Sequence, residues 1–318
     1  WRLHYMDKKR QLKGYFLVAL AGILWGIGGF FVAKMSETGA SSLMTAFASH
    51  FLALPPLLIY LLATKGLKGL KISKKGLLFS ILLGVLTKGI FKLALDTSIT
   101  LVGVATSTIL MYLAPVWTAL MAMLFFKEKL RGYQNFALVL NLLGCILMVT
   151  GGKFTNLNIS GLGLVLGLLL GFLYGLSTIL GKLGTSGDDS VSMAFYMMLF
   201  SSITTAIFAK PWENLHLFAK STFLFWAILG AVLNAAISNI LFLTGLSMGI
   251  DASKTTIVAS IEVIVATVAG VFLLNEHINL MGYIGIVIML ASIVLMNINV
   301  PSPRGIIHKK EVSIIESQ

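Results

Sequence analysis

A single cysteine, Cys145, stands in the 318 residues of this chain, inside an apolar run. One thiol builds neither a disulfide framework nor a thiolate metal cage. Charge is also scarce: 11% of residues are Asp, Glu, Lys or Arg, against about 25% in soluble domains. So few charges cannot cover a water-facing surface. Acids are scarcer than bases, 12 against 24, for a net charge of +12. A nucleic-acid partner would need those bases on one solvated face. Here they cluster in short gaps between apolar runs, so no nucleic acid is expected. The signatures of membrane hydrolases are missing too: there is no H-E-x-x-H pair and no G-x-S-x-G elbow. Asp96 is the one aspartate inside a predicted span. Enzyme chemistry, a metal and a cofactor are therefore not expected.

What the chain has is oil, with 57% hydrophobic residues and a mean hydropathy of +0.93. Crossing the hydrocarbon core takes about 20 mostly apolar residues. Ten segments qualify: 14–33, 43–63, 77–99, 103–126, 132–151, 160–181, 191–209, 223–246, 252–274 and 280–299. Breakers such as "ETGASS", "GTSGDDS" and "KPWENLH" separate them. The expected fold is an all-α membrane protein with ten transmembrane helices. Lys and Arg in the head, between spans 2 and 3, and at 127–131 fall on one face, with Lys34, Lys153, Lys210 and Lys220 on the other. By the positive-inside rule both termini are cytoplasmic and the protein sits in the cell membrane, surrounded by lipid. Residues 1–13 and 300–318 are then cytoplasmic segments. "MDKKRQLKG" reads as a natural start, and the long first apolar run reads as a retained span rather than a cleaved signal.

The chain repeats itself. "FFKEKL" (125–130) and "LLNEHI" (273–278) lie 148 residues apart, and "LAGILWG" (20–26) matches "LLGFLYG" (169–175) at an offset of 149. The halves run from 14 to 151 and from 160 to 299. Five spans per copy is an odd number, so the second copy enters the membrane upside down. Inverted repeats of this kind mark transporters, whose sites lie near the midplane where the copies meet.

Three stretches carry a family resemblance: "ILWGIGGFFVAK" in span 1, "YLAPVWTALMAMLFFKEKL" through span 4 and "IEVIVATVAGVFLLNEHI" through span 9. With Glu128 and Glu276 at the two junctions, the chain resembles the EamA-type ten-helix members of the drug/metabolite transporter superfamily. The resemblance implies an alternating-access carrier, often an exporter of amino acids, other metabolites or toxic compounds, with spans 5 and 10 peripheral. Two departures stand out. Span 9 reads Glu262-Val263 where this family often has Glu-Pro, and span 1 lacks the acid used by small drug–proton exchangers.

Candidate site residues come from polarity at depth. "LTKGIFKLALDTS" (86–98) sets Lys88, Lys92 and Asp96 four apart. At 1.5 Å per residue Lys88 lies roughly 15 Å deep, where a charge needs a cavity or a partner. Lys92 and Asp96 read equally as an ion pair. Aligning "LGVLTKGIFK" (83–92) with "LGAVLNAAIS" (229–238) puts Asn234 opposite Lys88 and Ser238 opposite Lys92; interhelical hydrogen bonds are the alternative use of these two. Glu262 is the other midplane charge. It could pair with Lys88, hold an ammonium or carry a coupling proton. The working hypothesis is that Lys88 holds a substrate carboxylate while Glu262 binds an amino group or couples transport to protons. That arrangement suits an amino acid or a small organic anion. A flippase for an anionic lipid carrier is the alternative, since Lys88 and Lys92 could meet a phosphate. Trp25, Tyr112 and Trp117 could wall the site. Pro115 frees the carbonyl of Met111 and is a candidate hinge. Gly163, Gly167, Gly171 and Gly175 on span 6, echoed by Gly22 and Gly26 on span 1, read as a close-packing or sliding face. His50 reads as a satisfied core histidine.

Overall fold

The structure, a computed structural model, describes residues 2–154, 161–274 and 277–297. It is helical throughout, with no strand among the described residues. Nine helical stretches there are long and apolar enough to cross a membrane, with Ala114–Phe126 as a shorter apolar helix. One stretch, Lys74–Met111, carries span 3 and the start of span 4 through a sharp kink at Gly103, whose φ of 81° a side chain would resist. Counting that stretch as two spans gives ten.

Span 1 is Arg2–Ser36. Span 2 comprises Ser42–Leu52 and Leu54–Lys65, starting at Ser41, whose side chain accepts from the Met44 amide. Spans 5, 6 and 7 are unbroken over Gly132–Thr150, Gly161–Gly184 and Ser190–Ala209. Span 10 is Leu280–Asn297. Asp189 caps span 7 through the Ser192 amide.

The remaining four spans share two irregularities that no hydropathy pattern announces. Spans 3 and 8 each contain a π-helical segment, Leu83–Ile90 and Ala231–Ile237, at matching places in the two copies. A π-turn widens the helix, leaves carbonyls short of donors and often marks functional ground. Nearby side chains meet that shortage: Thr87 donates to the Leu83 carbonyl at 2.8 Å, Asn239 to that of Ala235 at 2.7 Å, and Ser238 to that of Asn234. Spans 4 and 9 are both interrupted. Span 4 breaks at Tyr112 and Leu113 before resuming at Ala114, and span 9 breaks at Ser260 between Ala252–Ala259 and Ile261–Leu274. Tyr112 and Ser260 are 148 residues apart, the offset of the repeat.

Packing follows the same exchange. Span 1 packs on span 9 as span 6 packs on span 4, and spans 5 and 10 pack on each other. The chain is thus two inverted five-helix repeats. Its interior is built from small and flexible residues, among them Ala21, Ala48, Ala231, Met193 and Met198. Its outside is oily: Leu124 and Phe272, repeat counterparts, are 79% and 78% exposed. Such side chains belong against acyl tails.

Candidate functional site

Between the repeats lies a cavity of about 320 Å³, within the size range of small-molecule sites. Its polar wall holds Lys88, Asn234 and Glu262, with His50 and Asn239 beside them. Trp25, Phe91, Tyr174 and Phe242 supply aromatic surface. Through Val32, Lys92 and Leu95 it extends toward the face opposite the N-terminus. On the N-terminal side it is floored by an apolar cluster that includes Leu57, Leu61, Met197 and Leu243.

Lys88 enters this space from the first π-segment. It belongs to none of the ion pairs found among the described residues. Its Nζ lies 5.0 Å from the centre of the Trp25 ring. Indole is the strongest cation-binding face among the side chains. Glu262 stands in the first turn after the span 9 break, and its Oε2 accepts from the Tyr174 hydroxyl. Asn234 enters from the second π-segment and lies on the bare surface of span 1 left by Gly28. It donates to the carbonyls of Leu24 at 2.9 Å and Trp25 at 3.3 Å, so its amide nitrogen is engaged while it lines the cavity.

The profile of the EamA-like transporter family matches this chain twice, over residues 12–150 and 161–298. The chain belongs to that family. This EamA chain is accordingly a multi-pass membrane transporter of the drug/metabolite transporter superfamily. It is similar to an uncharacterized inner membrane transporter, YicL, of Salmonella typhimurium, at 24% identity over 302 residues, covering 90% of this chain and 96% of that one. A solved crystal structure shares the fold with a TM-score of 0.72 at 13% identity, covering 91% of this chain and 96% of the other.

In the EamA fold seen here, not every sequence-predicted residue reaches the cavity. Tyr112 does not line it: the ring is buried behind the wall, edge-on to Tyr174 with centroids 6.2 Å apart. Trp117 packs edge-on against Phe172 instead. Ser238 is fully buried and its hydroxyl serves the Asn234 carbonyl. Lys92 lines the cavity but is ion-paired with Asp96 at 2.9 Å, and the Ser42 hydroxyl accepts from Lys92 while donating to Asp96. His50 also lines the cavity, its Nδ1 2.8 Å from the Ser201 hydroxyl. Pro115 lies at the start of Ala114–Phe126, directly after the span 4 break.

The glycines explain how the repeats fit. A Cβ on Gly22 would meet the Ala259 carbonyl at 2.8 Å, and one on Gly26 the Glu262 carbonyl at 2.6 Å. Their counterparts do the same on span 4: Gly171 faces the Leu110 carbonyl at 2.7 Å and Gly175 that of Ala114 at 3.0 Å. Each unbroken helix thus lies backbone to backbone against the broken one. Gly167 abuts Leu110, and Gly163 is buried. Glu276 lies outside the described residues.

The sequence reading gave Tyr174 no role beyond matching Trp25 in the repeat, and it missed Gly28, Phe91 and Phe242. The Trp25–Tyr174 match was the available signal: a Tyr where the first copy has Trp brings a hydroxyl to the midplane.

Proposed function

We propose that this transporter carries a small metabolite with a carboxylate group, an amino acid or an organic anion, outward by alternating access. The reading rests on one observation above all: Lys88 presents an ammonium to the cavity and, among the described residues, forms no ion pair with a carboxylate. Placing a lysine at the membrane centre costs about 2.5–3.5 kcal/mol on insertion scales, and a substrate carboxylate recovers part of that cost. Trp25 steadies the ammonium, Asn234 turns its amide oxygen to the ligand, and Glu262 receives an amino group or a coupling proton. Lys92 adds positive potential at the rim, tempered by Asp96. Tyr112 and Ser238 act from behind the wall. Pro115 lets span 4 flex at its break, and Gly22, Gly26, Gly163, Gly167, Gly171 and Gly175 let the unbroken helices slide. With the N-terminus in the cytoplasm, the cavity faces outward, as in the release half of an export cycle.

The test is counterflow in proteoliposomes with a panel of amino acids, amines, organic acids and an anionic lipid carrier. Exchange restricted to carboxylates supports the reading. Exchange of amines alone overturns it, and movement of the lipid carrier alone makes the protein a flippase.

A further inference from the structure

The N-terminal face, away from the side toward which the cavity extends, is closed by side chains from three spans. On the N-terminal face Glu128, in the turn after span 4, accepts from Lys182 at the end of span 6 at 2.7 Å. The same carboxylate completes the start of span 9, accepting from the amides of Ala252 at 2.9 Å and Ser253 at 3.1 Å and from the Ser253 hydroxyl at 2.7 Å. One side chain therefore ties three spans across the repeat boundary. Lys182 also lies over the Phe126 ring at 4.4 Å. Glu128 and Lys182 are only 13% and 18% exposed.

Deeper along these three spans runs a row of hydroxyls. Thr256 of span 9 is 2.9 Å from Thr118 of span 4 and 3.3 Å from Thr178 of span 6. Ser177, beside Thr178, lines the cavity. A polar seam thus runs from the cavity floor to Glu128, through a cluster otherwise made of residues such as Met121, Ala122 and Ile179. Hydroxyls bring no apolar packing that Ala or Val would not supply, so their presence suits a surface that is wetted in another state. On the opposite face Lys34, the counterpart of Lys182 at an offset of 148, pairs with Glu37 of the adjoining turn at 2.7 Å.

We propose that the Glu128–Lys182 pair is the bolt of the N-terminal gate. Parting it frees the start of span 9, opens the Thr118–Thr178–Thr256 seam and exposes the cavity to that face. The proposal rests on the alternating-access reading. A second cavity of about 220 Å³ borders Glu128, Asp251 and Lys254, giving water a place from which to solvate the separated charges. Span 9 links the bolt to the site, since Glu262 lies ten residues beyond Ala252, just past the Ser260 break.

The test uses the full chain with Cys145→Ser, reconstituted in vesicles and carrying either Thr178→Cys or Val32→Cys. A membrane-impermeant thiol reagent is added to one face at a time. From the N-terminal face, Thr178→Cys is expected to react slowly in the parent and about tenfold faster with either Glu128→Gln or Lys182→Gln. Val32→Cys should then react more slowly from the opposite face, which also reports that the variants are folded. Lys34→Gln should change neither rate. Unchanged Thr178→Cys rates in both bolt variants, with the parent reacting slowly, would overturn the bolt and leave alternating access standing. A parent that carries substrate while Thr178→Cys reacts from neither face would overturn both.

Discussion

The ammonium of Lys88, from span 3, faces the indole of Trp25, from span 1, at 5.0 Å. Span 1 thereby holds the charge that span 3 brings to the midplane. Cation–π attraction of this kind is worth about 0.5–2 kcal/mol, which corresponds to about 2- to 30-fold in affinity. Trp25→Leu should raise the half-saturation concentration in counterflow within that range, while Trp25→Phe keeps most of the wild-type affinity. Equal values for wild type and Trp25→Leu would remove Trp25 from the site.

The glycine contacts predict a sharp contrast in stability. Gly26→Ala drives a methyl against the Glu262 carbonyl and the Val265 Cβ, both at 2.6 Å. Overpacking of this kind costs about 1–3 kcal/mol. Gly29→Ala, three residues on, meets nothing within 4 Å and should be neutral or slightly stabilising, as alanine is the better helix former. Thermal unfolding of the purified variants in detergent checks the pair. A Gly26→Ala melting point at or above that of Gly29→Ala would contradict the close approach of spans 1 and 9.

Asn141 on span 5 donates to Ser260 at 2.8 Å and to Ser292 on span 10 at 3.1 Å. It fastens the peripheral pair of helices to the span 9 break. Hydrogen bonds between membrane helices average about 0.6 kcal/mol each, so Asn141→Ala should lower stability by about 1 kcal/mol. Thermal unfolding of the purified variant in detergent measures this, and an unchanged melting point would contradict the tie.

Much of this fold was legible because hydropathy and punctuation suffice for it. Ten apolar runs, an odd count per repeat and two matched junction motifs lead to the inverted bundle. The break in span 4 was legible through Pro115. Its counterpart at Ser260 was not, since Glu262-Val263 carries no proline, and what marks the break in the fold is the close approach of Gly22 and Gly26, which lie far away in sequence. The π-segments were invisible because Lys88 and Asn234 sit in sequence that suits an α-helix equally well. Tyr112 fell behind the wall for a related reason: it stands at the break itself, where helical phase is lost.

Acid should weaken the Glu128–Lys182 tie. Burial pushes the Glu128 carboxyl up, but the bond from Lys182 and the donors of Ala252 and Ser253 outweigh it and hold it below its ordinary value. In the folded state this group therefore stays ionised to lower pH than in the unfolded chain. The stability it contributes is complete above the ordinary glutamate range, about 4.3, and is lost as pH falls through the folded value. Burial likewise pushes the Asp189 carboxyl up, and Lys65 with the donors of Ser192 together outweigh it and hold it below its ordinary value, so it acts in the same direction. Melting temperature should fall on acidification below the ordinary carboxylate range, and Glu128→Gln should show a shallower fall. Parallel curves for the two proteins would refute the assignment.

If Lys88 and Glu262 together hold the transported molecule, counterflow with variants of both shows it. With the carboxylate substrate identified by the panel, Lys88→Ala is expected to abolish exchange. Glu262→Gln is expected either to abolish it or to remove its dependence on a proton gradient. Normal rates and unaltered coupling in both variants would contradict the account.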